Sequence, residues 1–126
     1  MIIESIRLSQ RSKDQLMRIK RFTGIKHWNI LCRWALCVSL SEDSPPPMTH
    51  VRADSNVEMT WKTFAGAHGP TFEALLRQNA QDHDIEPSTE NLSRLLRGHL
   101  YRGVGTLGVR CKESICDLVD LVPGSA

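Results

Sequence analysis

Apolar and polar residues alternate at the start of the chain and then change to a helical repeat. Ile6 and Leu8 alternate with polar residues within positions 3–9, which is the period-two pattern of a short strand. From Leu16 through Ile19 the apolar residues recur at the spacing of an amphipathic helix. The first part of the chain is therefore predicted to be a strand followed by a helix.

Local signals predict where this helix begins and ends, and where the next one lies. Ser12 and Gln15 form a capping box, in which each side chain satisfies a free backbone donor at a helix start. Gly24 is suited to the left-handed residue that follows a helix. A second helix is predicted from about 26 to 40, and apolar residues surround most of its circumference. Such a helix is buried on more than one side, which suggests contact between subunits in a chain this short.

A break in the pattern divides the chain into three stretches. Residues 41–56 contain three consecutive prolines and many polar residues, which predicts a connector without regular structure. Alternation within 57–62 predicts a second strand. We therefore expect a basic strand–helix–helix module at 1–40, then the connector, then a strand and helices at 57–126 that pack on the module within a single domain.

Downstream of the second strand the chain is predicted to be helical. Gly69 and Pro70 open a third helix, because proline already has the backbone angle of a first helical turn. Ser88 caps a fourth helix, and Gly103 is predicted to end it. Apolar residues within 115–122 favour a short final helix, with a strand as the alternative. The expected fold class is mainly α with short β-strands, a helical C-terminal part following the N-terminal module.

Charge is distributed unevenly along the chain. The 126 residues carry a formal net charge of +2. Residues 1–40 contain eight basic and two acidic residues, whereas 41–126 contain eight basic and twelve acidic residues. Such asymmetry predicts an anion-binding face on a neutral or acidic body, and the alternative is a solvated helix face without a partner. The candidate anion-binding residues are Arg7, Arg11, Lys13, Arg18, Lys20, Arg21 and Lys26.

Patterns that usually indicate catalysis, nucleotides or metals have structural explanations here. The segment 103–108 matches G-x-G-x-x-G but follows a predicted helix instead of a strand, which argues against dinucleotide binding. Cys32 and Cys37 do not converge on one helix face, so they are interpreted with Cys111 and Cys116 as buried apolar residues. The five histidines form no recognisable catalytic motif. We expect no enzymatic activity, no cofactor and no metal site.

The chain also lacks the patterns of membrane insertion and secretion. No apolar stretch approaches the roughly 20 residues of a membrane span. The first residues alternate and include charged positions, unlike a signal peptide. A cytoplasmic location with no membrane partner is expected.

The short strand, capped helix, glycine turn and apolar second helix together resemble the ribbon-helix-helix family. That resemblance implies that two chains pair their strands into an antiparallel ribbon, which enters the DNA major groove. A lone strand leaves backbone groups unsatisfied, so it needs a partner strand. With Ile6 and Leu8 turned inward, Ser5, Arg7 and Ser9 are expected to point outward, where arginine can contact guanine O6 and N7.

The helices of this module add phosphate-binding features. The start of the second helix, around Lys26 and His27, offers free N–H groups and a positive dipole end to a phosphate. Arg18, Lys20 and Arg21 of the first helix contribute further, because each neutralised phosphate releases counterions.

Six short segments, spread over most of the chain, are similar to one known family. They are 6–9 (IRLS), 16–20 (LMRIK), 23–25 (TGI), 28–36 (WNILCRWAL), 69–72 (GPTF) and 99–103 (HLYRG). Together they resemble the DNA sulfur modification protein DndE. The resemblance implies a non-catalytic subunit of bacterial DNA phosphorothioation, in which sulfur replaces a non-bridging phosphate oxygen.

The family also implies partners. Its members are associated with duplex DNA, notably nicked duplex, and with a homotetramer, while a cysteine desulfurase and an ATP-using, iron–sulfur-containing protein carry out the sulfur chemistry. The expected partners are therefore double-stranded or nicked DNA, other phosphorothioation proteins and further copies of this chain. A nick makes a duplex easier to bend, which favours binding there without base reading. The alternatives are a ribbon-helix-helix transcriptional repressor or antitoxin, and a scaffold subunit that does not bind DNA and meets an acidic protein.

Overall fold

A computed structural model describes residues 3–48 and 52–111. The described chain is mainly helical with one small antiparallel sheet, which confirms the expected fold class. Its elements in chain order are β1 (Ser5–Arg7), α1 (Gln10–Thr23), α2 (Trp28–Leu40), β2 (Glu58–Thr60), α3 (Trp61–Ala65), a 3-10 turn (Gly66–His68), α4 (Gly69–Asp82) and α5 (Thr89–Arg110). The predicted final helix at 115–122 lies outside the described residues.

The sheet joins the first strand to a strand far along the same chain. Ile6 lies opposite Met59 and Arg7 opposite Glu58 in an antiparallel register. Ile6 and Met59 are buried, while their strand neighbours are exposed, as period-two alternation requires. β1 therefore has its hydrogen-bonded partner strand within the same chain. The ribbon interpretation was based on the need of β1 for a partner strand from a second chain, and that need is removed. β2 is shorter than the predicted strand at 57–62, because the chain turns into α3 at Trp61.

The start of α1 differs from the prediction by one helical turn. Ser9, and not Ser12, is the N-cap: its backbone is extended and its side chain accepts a hydrogen bond from the Ser12 backbone N–H at 3.0 Å. Ser12 is itself buried in the first turn. The helix can begin this early because β1 ends at Arg7, so that Ser9 is the first hydroxyl residue after the strand. The predicted end is confirmed, since Gly24 has a φ of 74° and donates to the Lys20 carbonyl.

α5 continues through the glycine that was predicted to end it. The helix runs to Arg110, so the prediction that it stops at Gly103 was wrong. A Cβ at Gly103 would overlap the backbone carbonyl of Ala35, and one at Gly98 would overlap that of Pro47. These glycines therefore permit close approach of neighbouring backbone, a role that only the packed structure reveals. The start of α5 is as predicted, with the Ser88 side chain accepting from the Asn91 N–H at 3.1 Å.

The core is built around α5, which contacts α1, α2 and α4. The largest fully buried side chains come from every α-helix and include Leu16, Ile19, Leu31, Leu36, Phe64, Leu76, Leu95 and Leu107. Among the described residues, no helix combines the length and the apolar character needed to cross a membrane.

Candidate nucleic-acid interface

The geometry of α1 separates the predicted basic residues into two groups. Residues seven positions apart lie on nearly the same side of a helix, at 100° per residue. Arg11 and Arg18 therefore share one flank of α1, and Lys13 and Lys20 share another. Arg11 and Lys13 differ by about 200° in direction. The seven candidates do not form one continuous patch.

The arginine flank lies against α5. Arg11 Nη1 donates to Tyr101 Oη at 3.2 Å, and its guanidinium carbon lies 5.9 Å from the Tyr101 ring centroid. Arg18 Nη2 donates to the Gly108 carbonyl at 3.4 Å. From the first contact to the second, the residue number increases by seven in α1 and by seven in α5, so the two helices run parallel. These two guanidinium groups are held by contacts within the chain.

Arg7 lies on the exposed face of β1 as predicted, but it already has a carboxylate partner. Its Nη2 is 2.6 Å from Glu58 Oε2, and the two side chains are 47% and 44% exposed. An exposed pair of this kind contributes at most about 1 kcal/mol to stability. Ser9 does not share this face, because it is buried as the N-cap of α1. The prediction that Ser5, Arg7 and Ser9 point outward together is therefore wrong for Ser9.

The lysine flank has no carboxylate partner among the described residues. Lys13 Nζ donates to Asn56 Oδ1 at 2.6 Å. Lys20 Nζ lies 4.2 Å from the Trp28 ring centroid, a cation–π contact that orients the side chain and leaves its charge unneutralised. Arg21 and Lys26 are exposed, and their side chains make no hydrogen bond or ion pair within the described part of the chain.

The start of α2 adds backbone donors beside these charges. His27 is the N-cap, and its side chain makes no capping hydrogen bond in the described structure. The first N–H groups of a helix have no acceptors within it, and they carry the positive end of the helix dipole. Lys26 immediately precedes this N-cap, and Lys20 lies over Trp28, the first residue of α2.

One further basic residue belongs here that the sequence did not indicate. Lys62 is exposed in α3, next to Thr63, whose carbonyl accepts a hydrogen bond from Asn29 Nδ2 at 3.1 Å. Arg33 also donates to the Thr63 and Phe64 carbonyls, so α3 lies against the first half of α2. We define the basic corner as Lys20, Arg21, Lys26, His27 and Lys62.

The basic corner is free of acidic residues in the sequence segments that form it. There is no Asp or Glu between Asp14 and Glu42, and none between Glu58 and Glu73. The lack of acidic residues in each segment is visible in the sequence. That the two segments lie side by side is known only from the contact between α3 and α2. The corner is therefore a local concentration of positive charge in a chain of low net charge.

A second polar cluster lies inside the protein. His99 Nδ1 is 2.7 Å from Ser39 Oγ, and His99 Nε2 is 2.7 Å from Asn79 Oδ1. Arg102 Nε donates to Ser39 Oγ at 2.8 Å. The Ser39 hydroxyl then donates to Nδ1, and Nε2–H donates to the Asn79 oxygen, which selects one tautomer of His99.

This serine–histidine–asparagine arrangement resembles a hydrolytic triad but is placed in the core. His99 and Ser39 are 0% exposed, and Asn79 is 8% exposed, so a substrate has no access to them. Burial, with the charges of Arg102 and His83, lowers the pKa of His99 from 6.5 to about 3. The cluster joins α2, α4 and α5, and its role is to hold these helices together. No local sequence signal marks it, because its members are far apart along the chain.

The cysteines are only partly as interpreted. Cys32 and Cys111 are buried, and burial raises the pKa of the Cys32 thiol to about 12. Cys37 is exposed, so its interpretation as a buried apolar residue was wrong; it lies on the outward side of α2. Cys116 lies outside the described residues. Within the described ranges, no group of three or more His, Cys, Asp or Glu side chains is arranged to hold a metal ion.

The fold and the segregation of charge define a small helical protein with a basic corner at the junction of α1, α2 and α3. The chain belongs to the family described as DNA sulphur modification protein DndE, whose sequence model matches residues 5–114. The resemblance noted in the sequence is thereby confirmed. A search of curated proteins gives no significant match.

Solved structures support the same fold. The chain is similar to the crystal structure of DndE from Escherichia coli B7A involved in DNA phosphorothioation modification. The TM-score is 0.69 and the sequence identity 22%, over 85% of this chain and 99% of that one. A crystal structure of a DndE mutant with glycine-to-lysine replacements, also involved in DNA phosphorothioation, gives a TM-score of 0.66. Its sequence identity is 19%, over 85% of this chain and 100% of the other.

Proposed function

We propose that the protein is a DNA-binding, non-catalytic subunit of a DNA phosphorothioation system, and that it contacts the duplex backbone through the basic corner. The observation that carries this proposal is the uncapped start of α2 beside exposed Arg21 and Lys26, in segments without acidic residues. Backbone N–H groups at a helix start and neighbouring cations together form a favourable environment for phosphate. The family assignment supports DNA sulfur modification as the setting.

The chemistry of the basic corner favours backbone binding over base reading. Lysine is a mobile point charge that neutralises phosphate and releases counterions, whereas sequence reading needs fixed side chains that present paired donors to base edges. Arg7, the residue expected to read guanine, is paired with Glu58. A protein that binds phosphates and bends the duplex prefers nicked DNA, because a nick lowers the cost of bending.

The family assignment supports a division of labour between this chain and its partners. The protein supplies DNA affinity in the cytoplasm, and other proteins of the system carry out the sulfur-transfer chemistry. Without a cofactor of its own, this chain acts by positioning DNA for those partners.

Assembly into a homotetramer is proposed from the outward side of α2. Ile30 and Trp34 are only partly buried and Cys37 is exposed, on the side of the helix away from the buried Cys32. An apolar helix side of this kind is suited to contact with another copy of the chain. Four copies would carry four basic corners, which multiplies the phosphate contacts available to one duplex.

The test is a salt titration of binding to a labelled duplex, intact or with a single nick, measured by fluorescence anisotropy. The Arg21→Ala/Lys26→Ala variant removes two exposed charges of the basic corner, whose side chains make no hydrogen bond or ion pair with other described residues. If both contact phosphates, the slope of log K against log[salt] becomes shallower by about 1.8 per chain.

The matched control is Arg77→Ala/Arg94→Ala, which removes the same charge from exposed positions on α4 and α5. Its slope should stay close to that of the wild type, and the wild type should bind the nicked duplex more tightly. Equal slopes in the two variants, or no binding to either duplex at low salt, would reject the basic corner as a DNA interface.

A further inference from the structure

A cleft between β1 and α5 combines an apolar floor with a positive rim. Its volume is about 130 Å³. Ile3, Ile6 and Leu96 are its buried lining residues and define the floor, while the less buried Arg7, Arg97 and Ser93 define the rim. A second, smaller cavity beside Tyr101 is also lined by Arg7 and Arg97. Neither Arg97 nor the cleft is part of the basic corner.

Arg97 is the charged residue of this cleft that lacks a hydrogen-bonding partner among the described residues. Its side chain is partly buried and makes no hydrogen bond or ion pair with any other described residue. Arg7 lies across the opening and is paired with Glu58. Arg11 contacts Tyr101, which lies one helical turn beyond Arg97 on α5. A partly desolvated guanidinium that has no partner among the described residues is stabilised by an anion that fits its paired donors.

The size and floor of the cleft select the kind of ligand. A cofactor or drug-sized molecule usually occupies roughly 300–1,000 Å³, which is much more than this cleft offers. An apolar cavity of about 150 Å³ holds one benzene-sized group, so this cleft accommodates a single apolar side chain. A phosphate group alone would leave the apolar floor unused, whereas a peptide can present an apolar side chain and carboxylates together.

We propose that the β1–α5 cleft is a docking site for a protein segment in which one aliphatic residue is flanked by Asp or Glu. The aliphatic side chain contacts Ile3, Ile6 and Leu96, and a flanking carboxylate pairs with Arg97, while Arg7 keeps its partner Glu58. Arginine suits this role because its planar fork binds carboxylates through two parallel hydrogen bonds and is less strongly hydrated than lysine. Arginine and tyrosine are also enriched at the centres of protein interfaces.

The position of the cleft allows a protein and DNA to bind together. It lies near the start of α1, whereas the basic corner lies at the end of that helix, about 20 Å away for 14 residues. The proposal rests on the proposed function to the extent that the bound segment belongs to another phosphorothioation protein. The cleft would then connect that protein to the DNA held at the basic corner.

The experiment is an NMR titration of the full chain, ¹⁵N-labelled, with the capped peptide acetyl-Asp-Asp-Leu-Asp-Asp-amide. We expect the largest amide shifts at Ile6, Ser93 and Arg97. Replacing the central leucine by glycine should weaken binding at least tenfold, because the floor is then left unfilled. Arg97→Ala should weaken binding about tenfold, whereas Arg94→Ala, an exposed arginine of the same helix, should change it less than twofold.

Other results would overturn this proposal. Amide shifts centred on Lys20 and Lys26 would mean that the acidic peptide is attracted to the basic corner in general. Equal affinity for the leucine and glycine peptides would mean that the apolar floor does not contribute to recognition. Inorganic phosphate producing the same shifts at Arg97 would assign the cleft to phosphate.

DNA binding of Arg97→Ala, measured by anisotropy, separates the two hypotheses. Unchanged DNA affinity with lost peptide binding supports the cleft as a protein site, while a loss matching that of Arg21→Ala/Lys26→Ala assigns it to nucleic acid. If the wild type binds the peptide at the cleft but no DNA, the DNA function fails and the docking site stands.

Discussion

At the scale of single residues, His99 is a core side chain held by hydrogen bonds on both sides of its ring. It is fully buried and hydrogen-bonded on both ring nitrogens, between Ser39 and Asn79. Arg102 completes the chain of donors and also donates to the Ser39 carbonyl at 2.8 Å. Protonation of His99 would place two donors where the cluster needs one donor and one acceptor, beside the positive charge of Arg102. The cluster is therefore stable only with neutral His99.

This predicts a pH-dependent stability. The pKa of His99 is about 3 in the folded state and 6.5 without the fold. The unfolded state then binds the proton more readily, so stability is complete above pH 6.5 and falls as the pH decreases towards 3. At pH 4.5 the loss attributable to His99 is about 2–3 kcal/mol.

Urea unfolding at pH 7.5 and 4.5 measures this loss. His99→Gln retains a neutral donor and acceptor, so it should be less stable at pH 7.5 by about 1–3 kcal/mol but should lack this part of the pH dependence. An identical pH dependence in the variant and the wild type would mean that other groups cause it.

At the scale of elements, the glycines of α5 have different roles although they occur in one helix. Gly103 faces α2, where a Cβ would overlap the Ala35 backbone. Gly105 is two residues further on, and no described atom lies within 4 Å of a Cβ built there. Gly103 is therefore required for the close contact between α2 and α5. Gly105 is not required by packing, and glycine there only lowers the helix propensity.

The two alanine variants should therefore change stability in opposite directions. Gly103→Ala should reduce the free energy of unfolding by about 1–3 kcal/mol, because α2 and α5 must move apart. Gly105→Ala should raise it by about 0.5–1 kcal/mol, because alanine is the better helix former. Urea denaturation followed by circular dichroism gives both values. Similar destabilisation by the two changes would be inconsistent with the close approach at Gly103.

At the scale of the whole molecule, three features of the surface carry the proposed interactions. Positive charge is concentrated at the basic corner, the apolar side of α2 lies around Ile30, and the arginine-rimmed cleft lies between β1 and α5. The cleft lies at the other end of α1 from the basic corner, so a protein partner and DNA need not compete, whereas Ile30 lies only one helical turn from His27 of the basic corner. We propose that a subunit with this arrangement is suited to bringing other proteins to DNA.

The assembly has its own test. Light scattering should give a wild-type mass of about four times the 14.2 kDa chain. Ile30→Glu should reduce that mass, because it places a charge in the proposed contact, while helical circular dichroism stays unchanged. Leu75→Glu, at an exposed apolar position on α4, is the control and should leave the mass unaltered. A wild-type monomer, or a tetramer that persists in Ile30→Glu, would exclude this contact.

The sequence by itself determined the features that depend on neighbouring residues. The glycine end of α1 at Gly24, the proline start of α4 at Pro70 and the Ser88 cap of α5 were all predicted correctly, because each reflects backbone chemistry within one helical turn. The excess of basic residues in the first forty positions and the family resemblance were likewise present in the sequence.

Only the tertiary structure decided which distant residues meet. The partner of β1, the passage of α5 through Gly103 and the position of Lys62 beside α2 depend on which faces pack together. The His99 cluster and the cleft at Arg97 have the same origin, since their members are brought together from different elements. Packing follows from burial of apolar faces over the whole chain, and no local pattern encodes which of several compatible faces will touch.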